Sequence, residues 1–177
     1  MRATVVTAEA GCAKGVLHRH FKDFDDLLVE LVHDHAGRVK TRGESLRAGT
    51  GTVAGNVTTA LEALLTSVAV SILPLITFRD ELRARLRQTW PTGLPILTEA
   101  AAQIAAYLAA EREVGRIAPD TDVDTLAAVL IGTGHLMYAD RRADPPTAEA
   151  VHATIATALA GTERKGPGPK RPVPEEA

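Results

Sequence analysis

Apolar residues recur with the period of an α-helix along most of this 177-residue chain. The clearest stripe has spacings of three and four residues and comprises Leu61, Leu64, Leu65, Val68, Ala69 and Ile72. Such spacing places all of these side chains on one face of a helix. The alternating β-branched residues that indicate strands are almost absent. The sequence therefore predicts an all-α fold.

Residues that start and stop helices divide the first half of the chain. Asp23, with Asp26 three residues later, predicts a capped helix that runs to about Arg42. Glycines mark a loop around residues 49–55. Pro74 is expected to end or kink the helix that carries the apolar stripe.

A segment up to about Trp90 follows Pro74. Its large apolar residues are predicted to be buried: Phe78, Leu82 and Leu86. Its alternating arginines are predicted to face solvent: Arg83, Arg85 and Arg87.

Three further helices are predicted in the second half of the chain. Thr92 and Pro95 begin the first, Asp122 introduces the second, and Thr147 begins the third. The second helix contains Gly132 and Gly134, which cost roughly 1 kcal/mol each against Ala. Close approach of another helix is the expected reason. Residues 162–177 are rich in proline and are predicted to be a disordered tail.

The net charge of -2 means that any nucleic-acid binding must come from a local basic patch. Residues 10–22 contain such a patch and no carboxylate, although an ordinary solvated helix face would look the same. A single cysteine, Cys12, cannot form an internal disulfide. No stretch resembles a membrane span or a secretory signal. These features favour a cytoplasmic protein with no membrane partner.

The same region has the pattern of a helix-turn-helix. Residues 8–28 read AEAGCAKGVLHRHFKDFDDLL, in which Gly11 suits the tight turn and Leu17 and Phe21 would anchor the second helix to the core. This stretch resembles the signature of the tetracycline-repressor (TetR) family, roughly A-x-x-A-G-V-S-x-G-x-L-Y-x-H-F-x-x-K-x-x-L. The matching positions are Gly11, Gly15, Leu17, His20, Phe21 and Leu27.

The resemblance implies a dimeric transcriptional regulator, usually a repressor, that binds operator DNA and responds to a small-molecule inducer. Carried over by position, three residues would face base edges: Lys14, Gly15 and Val16. His18 and His20 would lie at phosphates, and Arg19 could contact either. Lys22 completes the basic patch. Residues 1–42 would form the helix-turn-helix head and a connecting helix. Residues 43–161 would form an antiparallel helical domain for ligand binding and dimerisation.

The sequence departs from the family pattern at several positions. Phe24 occupies the position of a phosphate-anchoring Lys, and His18 replaces an aromatic hydroxyl. The family's first helix, which packs across the motif, has no counterpart, so the head is expected to be incomplete. Two interpretations follow. Either the sequence is a fragment of a longer chain, or the protein is a ligand-binding or dimerisation module that has lost DNA binding.

Two further sets of residues follow from the family's organisation. An inducer cavity could be lined by Val68, Ile72, Phe78, Leu82, Trp90, Ile104, Leu108, His135 and Tyr138; plain core packing is the alternative for each. A subunit interface on the last two helices could use Leu126, Leu130, Gly134, Val151, Ile155 and Leu159; packing within one chain is the alternative.

Patterns that indicate enzymes or metal sites are missing from the sequence. There is no Gly-x-Ser-x-Gly context, no phosphate-binding glycine loop and no H-E-x-x-H pattern. Four histidines occur as two pairs: His18 with His20, and His33 with His35. Because residues two positions apart on a helix point to different faces, neither pair is suited to bind a metal ion. We therefore expect no catalytic activity, no metal and no cofactor.

Overall fold

The computed structural model describes residues 19–65, 69–139 and 144–163. Within these ranges the chain forms seven α-helices and no strand, and residues 19–20 are also helical. The helices are α1 (Phe24–Gly43), α2 (Val53–Leu65), α3 (Ala69–Phe78), α4 (Asp80–Leu86), α5 (Pro95–Glu113), α6 (Val123–Met137) and α7 (Ala148–Leu159). The predicted all-α fold is confirmed over this part of the chain. No described helix is both long and apolar enough to cross a membrane.

Helix α5 is the centre of the packing. It contacts α1 along one side and α6 along another, while α2 packs mainly on α7. The largest fully buried apolar side chains come from six helices and one loop: Leu61, Ile76, Leu82, Ile96, Leu108, Ile117, Leu130, Ile155 and Leu159. Burial of these side chains is the main driving force for folding.

Three helices begin at the caps that the sequence predicts. The side chains of Asp23, Asp122 and Thr147 accept hydrogen bonds from the backbone N–H three residues later, at 2.8, 3.1 and 3.2 Å. At the first cap, the Asp26 carboxylate also accepts the N–H of Lys22 at 3.1 Å. Each bond satisfies a donor that the helix itself leaves unpaired.

Pro74 does not end its helix, because α3 continues past it to Phe78. The predicted burial of Phe78 is wrong. Phe78 is 85% exposed, whereas Leu82 and Leu86 are buried as predicted. The backbone is extended at Arg79, with φ -120° and ψ 100°, so α3 and α4 are separate helices. The spacing of four between Phe78 and Leu82 therefore does not place them on one face.

The residues predicted for a subunit interface lie inside this single chain. Leu130, Val151, Ile155 and Leu159 are fully buried, and Leu126 is half-buried. At Gly134, an added Cβ would lie 3.0 Å from Leu65 and 3.3 Å from Leu61. The chain's own helices cover Leu130, Gly134, Val151, Ile155 and Leu159, so packing within one chain, the alternative interpretation, accounts for their burial.

The two glycines of α6 differ in their surroundings. Close approach of another helix is confirmed at Gly134, where α2 packs against the α6 backbone. It is wrong for Gly132, which has no atom within 4 Å of an added Cβ.

Candidate ligand cavity and DNA-facing segment

A cavity of about 500 Å³ lies between α1, α2, α5 and α6. This volume is within the usual range for small-molecule sites. The lining residues are His35, Arg38, Val39, Arg42, Gly43, Ser45, Leu46, Thr59, Ala60, Leu61, Ala63, Leu64, Ala100, Gln103, Ile104 and Ile131.

The cavity has an apolar floor and a polar rim. The floor consists of buried side chains: Leu61, Leu64, Ala100, Ile104 and Ile131. The rim carries exposed polar side chains: Arg38, Arg42, Ser45 and Thr59. A ligand would therefore enter past polar groups and place its apolar part against the floor.

Three basic side chains on α1 face the cavity, spaced three and four residues apart: His35, Arg38 and Arg42. His35 Nδ1 lies 3.1 Å from the carbonyl oxygen of Leu31. Arg38 forms an ion pair of 2.8 Å with Asp34. Arg42 donates a hydrogen bond of 3.3 Å to the carbonyl of Ala63, near the end of α2.

One of the residues predicted for the cavity, Ile104, lines it. Ile72, Leu82 and Leu108 are buried core residues instead. Val68 lies outside the described residues. Core packing, the alternative interpretation, is correct for these three buried side chains.

The polar and aromatic residues predicted for the cavity lie elsewhere. Trp90 packs against the ring of His33, with 4.7 Å between the ring centroids. His135 and Tyr138 lie at the C-terminal end of α6, where His135 Nδ1 is buried and has no hydrogen-bond partner among the described residues. Phe78 points into solvent.

The basic stripe of α1 is not among the predicted site residues, although its signal is present in the sequence. Residues 35, 38 and 42 are spaced as neighbours on one helix face. The cavity itself has no signal in the sequence, because it depends on how four helices meet.

A buried polar cluster holds the loop that borders the cavity. Glu111 is fully buried, and its Oε2 accepts the N–H of Gly49 at 3.1 Å and pairs with Arg116 at 3.4 Å. Asn56 donates to the hydroxyl of Tyr107 at 2.8 Å. The cluster attaches residues 44–52 to α5, and this loop supplies Ser45 and Leu46 to the cavity.

Some of the residues predicted to contact DNA can be located just before α1. Arg19, His20 and Lys22 are exposed, and the first two are helical. The other predicted positions, Lys14, Gly15, Val16 and His18, lie outside the described residues. The described part of the basic patch therefore faces solvent.

The beginning of α1 is joined to α4 and to Arg79 by ion pairs. Arg85, predicted to face solvent, forms two hydrogen bonds with Asp23, at 2.8 and 2.6 Å. Arg79 pairs with the buried carboxylate of Asp25 at 2.6 Å and lies 5.6 Å from the ring centroid of Phe24. The hydrogen bonds from Arg85, followed by the backbone N–H of Asp26, lower the pKa of Asp23 to about 2.

These ion pairs balance negative charge beside the basic segment. Without Arg79 and Arg85, the carboxylates of Asp23 and Asp25 would place uncompensated negative charge close to Arg19, His20 and Lys22. Phe24, where the TetR pattern has Lys, supports the guanidinium of Arg79 instead.

No group of three or more metal-ligating side chains occurs among the described residues. His33 and His35 point to different neighbours, Trp90 and Leu31 respectively.

No family model and no curated protein matches the sequence. Among solved structures, the chain is similar to a candidate TetR-family transcriptional regulator from Mesorhizobium loti, with 18% sequence identity and a TM-score of 0.64. The alignment covers 90% of this chain and 85% of the other. At this level of identity, the likeness shows that the two proteins share a fold.

Proposed function

We propose that this protein is a TetR-like transcriptional regulator that binds operator DNA as a dimer and changes its DNA affinity when a small molecule fills the cavity. The observation that carries the proposal is the course of α1. Its 20 residues span about 30 Å. The exposed basic segment precedes its first residue, and its C-terminal half forms one wall of the cavity.

This arrangement supports a simple mechanism of regulation. A ligand that binds one orientation of α1 better than another shifts the population toward that orientation. The ion pairs of Asp23 and Asp25 connect the beginning of α1 to Arg79 and α4, so a movement of α1 would be passed on to these residues. In a dimer, such a shift would change the separation of two DNA-reading heads.

The outer face of α6 supports dimerisation. Val129 and Leu136 are 50% and 76% exposed, and Ala128 and Gly132 are exposed beside them. An exposed apolar stripe of this kind is typical of a surface that a partner covers. On α7, the small residues Ala153 and Thr157 are also exposed. We therefore assign the subunit interface to these outward residues rather than to the buried ones.

Selection of DNA from a random double-stranded library, followed by fluorescence anisotropy, tests the proposal. We expect the full chain to enrich one sequence and to bind it with an affinity that falls steeply as salt rises, because phosphate contacts release counterions. Replacing both Arg19 and Lys22 by Gln should weaken binding. The control variant, Arg47→Gln, removes an exposed arginine in the loop after α1 and should leave DNA binding unchanged.

Failure to enrich any sequence would contradict the proposal. If the same chain still bound a small molecule in the cavity, a ligand-binding module without DNA binding would be the correct interpretation.

A further inference from the structure

We propose that the cavity binds an amphipathic organic anion, with its anionic headgroup at Arg42 and its apolar body on the floor. This inference rests on the proposed function in that it takes the cavity to be the regulatory ligand site. It goes further by naming the chemical class of the ligand.

The charge of the cavity wall is the first argument. The described lining residues include His35, Arg38 and Arg42 but no Asp or Glu. The permanently charged guanidinium groups of Arg38 and Arg42, with no carboxylate in the lining, favour an anion and repel a cation.

The ion pairs and hydrogen bonds that the rim side chains already form identify the group that binds the anion. Arg38 already pairs with Asp34 at 2.8 Å. Arg42 has no described carboxylate within 4.0 Å and donates to the carbonyl of Ala63. A guanidinium carries five N–H donors. Arg42 therefore keeps donors that can bind a carboxylate, sulfonate or phosphate in a forked geometry.

The other polar groups that line the cavity already form hydrogen bonds. Ser45 donates to the carbonyl of Arg42 at 2.6 Å, and Thr59 donates to the carbonyl of Gly55 at 3.0 Å. The amide of Gln103 donates to Glu99 at 2.9 Å. These bonds leave the hydroxyls and the amide with less capacity for a ligand than Arg42 has.

The floor determines the rest of the molecule. Leu61, Leu64, Ala100, Ile104 and Ile131 contribute only apolar atoms from their side chains. A polar body buried there would lose its hydrogen bonds to water. A hydrocarbon body gains affinity with each buried methylene, about fourfold per group. The ligand is therefore a chain or ring system of hydrocarbon that ends in one anionic group.

Isothermal titration calorimetry with three probes of equal chain length tests the inference on the full chain without DNA. The probes are octanoate, 1-octanol and octyltrimethylammonium. We expect octanoate to bind roughly 10-fold or more tightly than octanol, since hydrogen bonds to charged groups are the strong ones. Octyltrimethylammonium should bind most weakly. From hexanoate to decanoate, affinity should rise about fourfold per methylene.

Three variants separate the headgroup from the apolar body. Arg42→Gln should lower the affinity for octanoate to the affinity for octanol, and it should leave the affinity for octanol unchanged. The matched control, Arg47→Gln, should keep the preference, because Arg47 does not line the cavity and donates to the carbonyl of Glu44. Ala100→Phe should fill the floor and abolish binding of all three probes. Thermal unfolding confirms that each variant is folded.

Two results would overturn the inference: octanol or octyltrimethylammonium binding as tightly as octanoate, or Arg42→Gln keeping the preference for octanoate. A folded protein that binds none of the probes would overturn it as well. DNA selection is measured separately. Selective DNA binding without an anion preference would reject the ligand class alone, whereas Arg42-dependent anion binding without DNA selection would reject the proposed function alone.

Discussion

The hydroxyl of Tyr107 donates a hydrogen bond of 2.5 Å to the fully buried carboxylate of Glu111, one helical turn away on α5. A buried charge of this kind is costly unless it is paired and hydrogen-bonded. Here Gly49 and Arg116 satisfy the second carboxylate oxygen. The pair therefore links α5 to the loop that borders the cavity.

Removing the hydroxyl of Tyr107 should destabilise the fold. Tyr107→Phe leaves Glu111 Oε1 without its donor, and we expect a loss of about 1–3 kcal/mol in the free energy of unfolding. Urea denaturation followed by circular dichroism measures it. Tyr138→Phe, at a half-buried position, is the control and should change stability by less than about 0.5 kcal/mol. Equal effects of the two variants would contradict the role of the pair.

Ionisation of Tyr107 should make the fold sensitive to alkaline pH. Burial, followed by the hydrogen bond to Glu111, raises the pKa of Tyr107 to about 12 from its ordinary value of 10.0. The unfolded chain loses this proton near pH 10, so the stabilisation is complete below pH 10 and is lost as the pH rises through about 12. Tyrosinate absorbance of the Tyr138→Phe variant isolates Tyr107. A midpoint near pH 10 in the folded protein would refute the prediction.

The ion pair between Asp23 and Arg85 should break only in strong acid, when Asp23 is protonated. Because the pKa of Asp23 is lowered to about 2 from its ordinary 3.8, its stabilisation is complete above pH 3.8 and is lost as the pH falls through about 2. NMR titration of the carboxyl group should give this midpoint. Arg85→Gln should move the midpoint back toward 3.8, whereas Arg87→Gln, which removes an exposed arginine in the same segment, should not.

Gly43 allows α1 to lie close against α5. A Cβ at this position would overlap the Cβ of Gln103, so Gly43→Ala should destabilise the protein by about 1–3 kcal/mol. Gly37, on the same helix, has no atom within 4 Å of an added Cβ. Gly37→Ala should therefore stabilise the protein by up to about 1 kcal/mol. Thermal unfolding of the two variants should shift in opposite directions; a shift in the same direction would disprove the close packing.

A charge on the outer face of α6 should dissociate the proposed dimer. Leu136→Glu places a carboxylate in the exposed apolar stripe, and burying it against a second subunit would be unfavourable. Sedimentation velocity should show dimers of the unaltered chain and monomers of the variant. Val114→Glu is the control at another exposed apolar residue, 55% exposed after α5, and should remain dimeric. A monomeric unaltered chain would argue against this interface.

Features that depend on neighbouring residues could be predicted from the sequence. The caps at Asp23, Asp122 and Thr147 are correct because a cap needs only a side-chain oxygen and a backbone N–H three residues later. The predicted burial of Phe78 is wrong because its exposure depends on the break in the helix at Arg79. That residue is extended while its side chain pairs with Asp25, which is 54 positions away in sequence.

By itself, the sequence determined an all-α fold, the starts of α1, α5, α6 and α7 and a set of apolar stripes, because helical periodicity and caps act within a few residues. Only the tertiary structure decided what each stripe meets. Leu130 and Ile155 are buried within one chain, and Ile104 contributes to the cavity although Leu108, one turn later, does not. An apolar stripe gains free energy from any surface that excludes water, so its partner is chosen by the combined packing of all the helices.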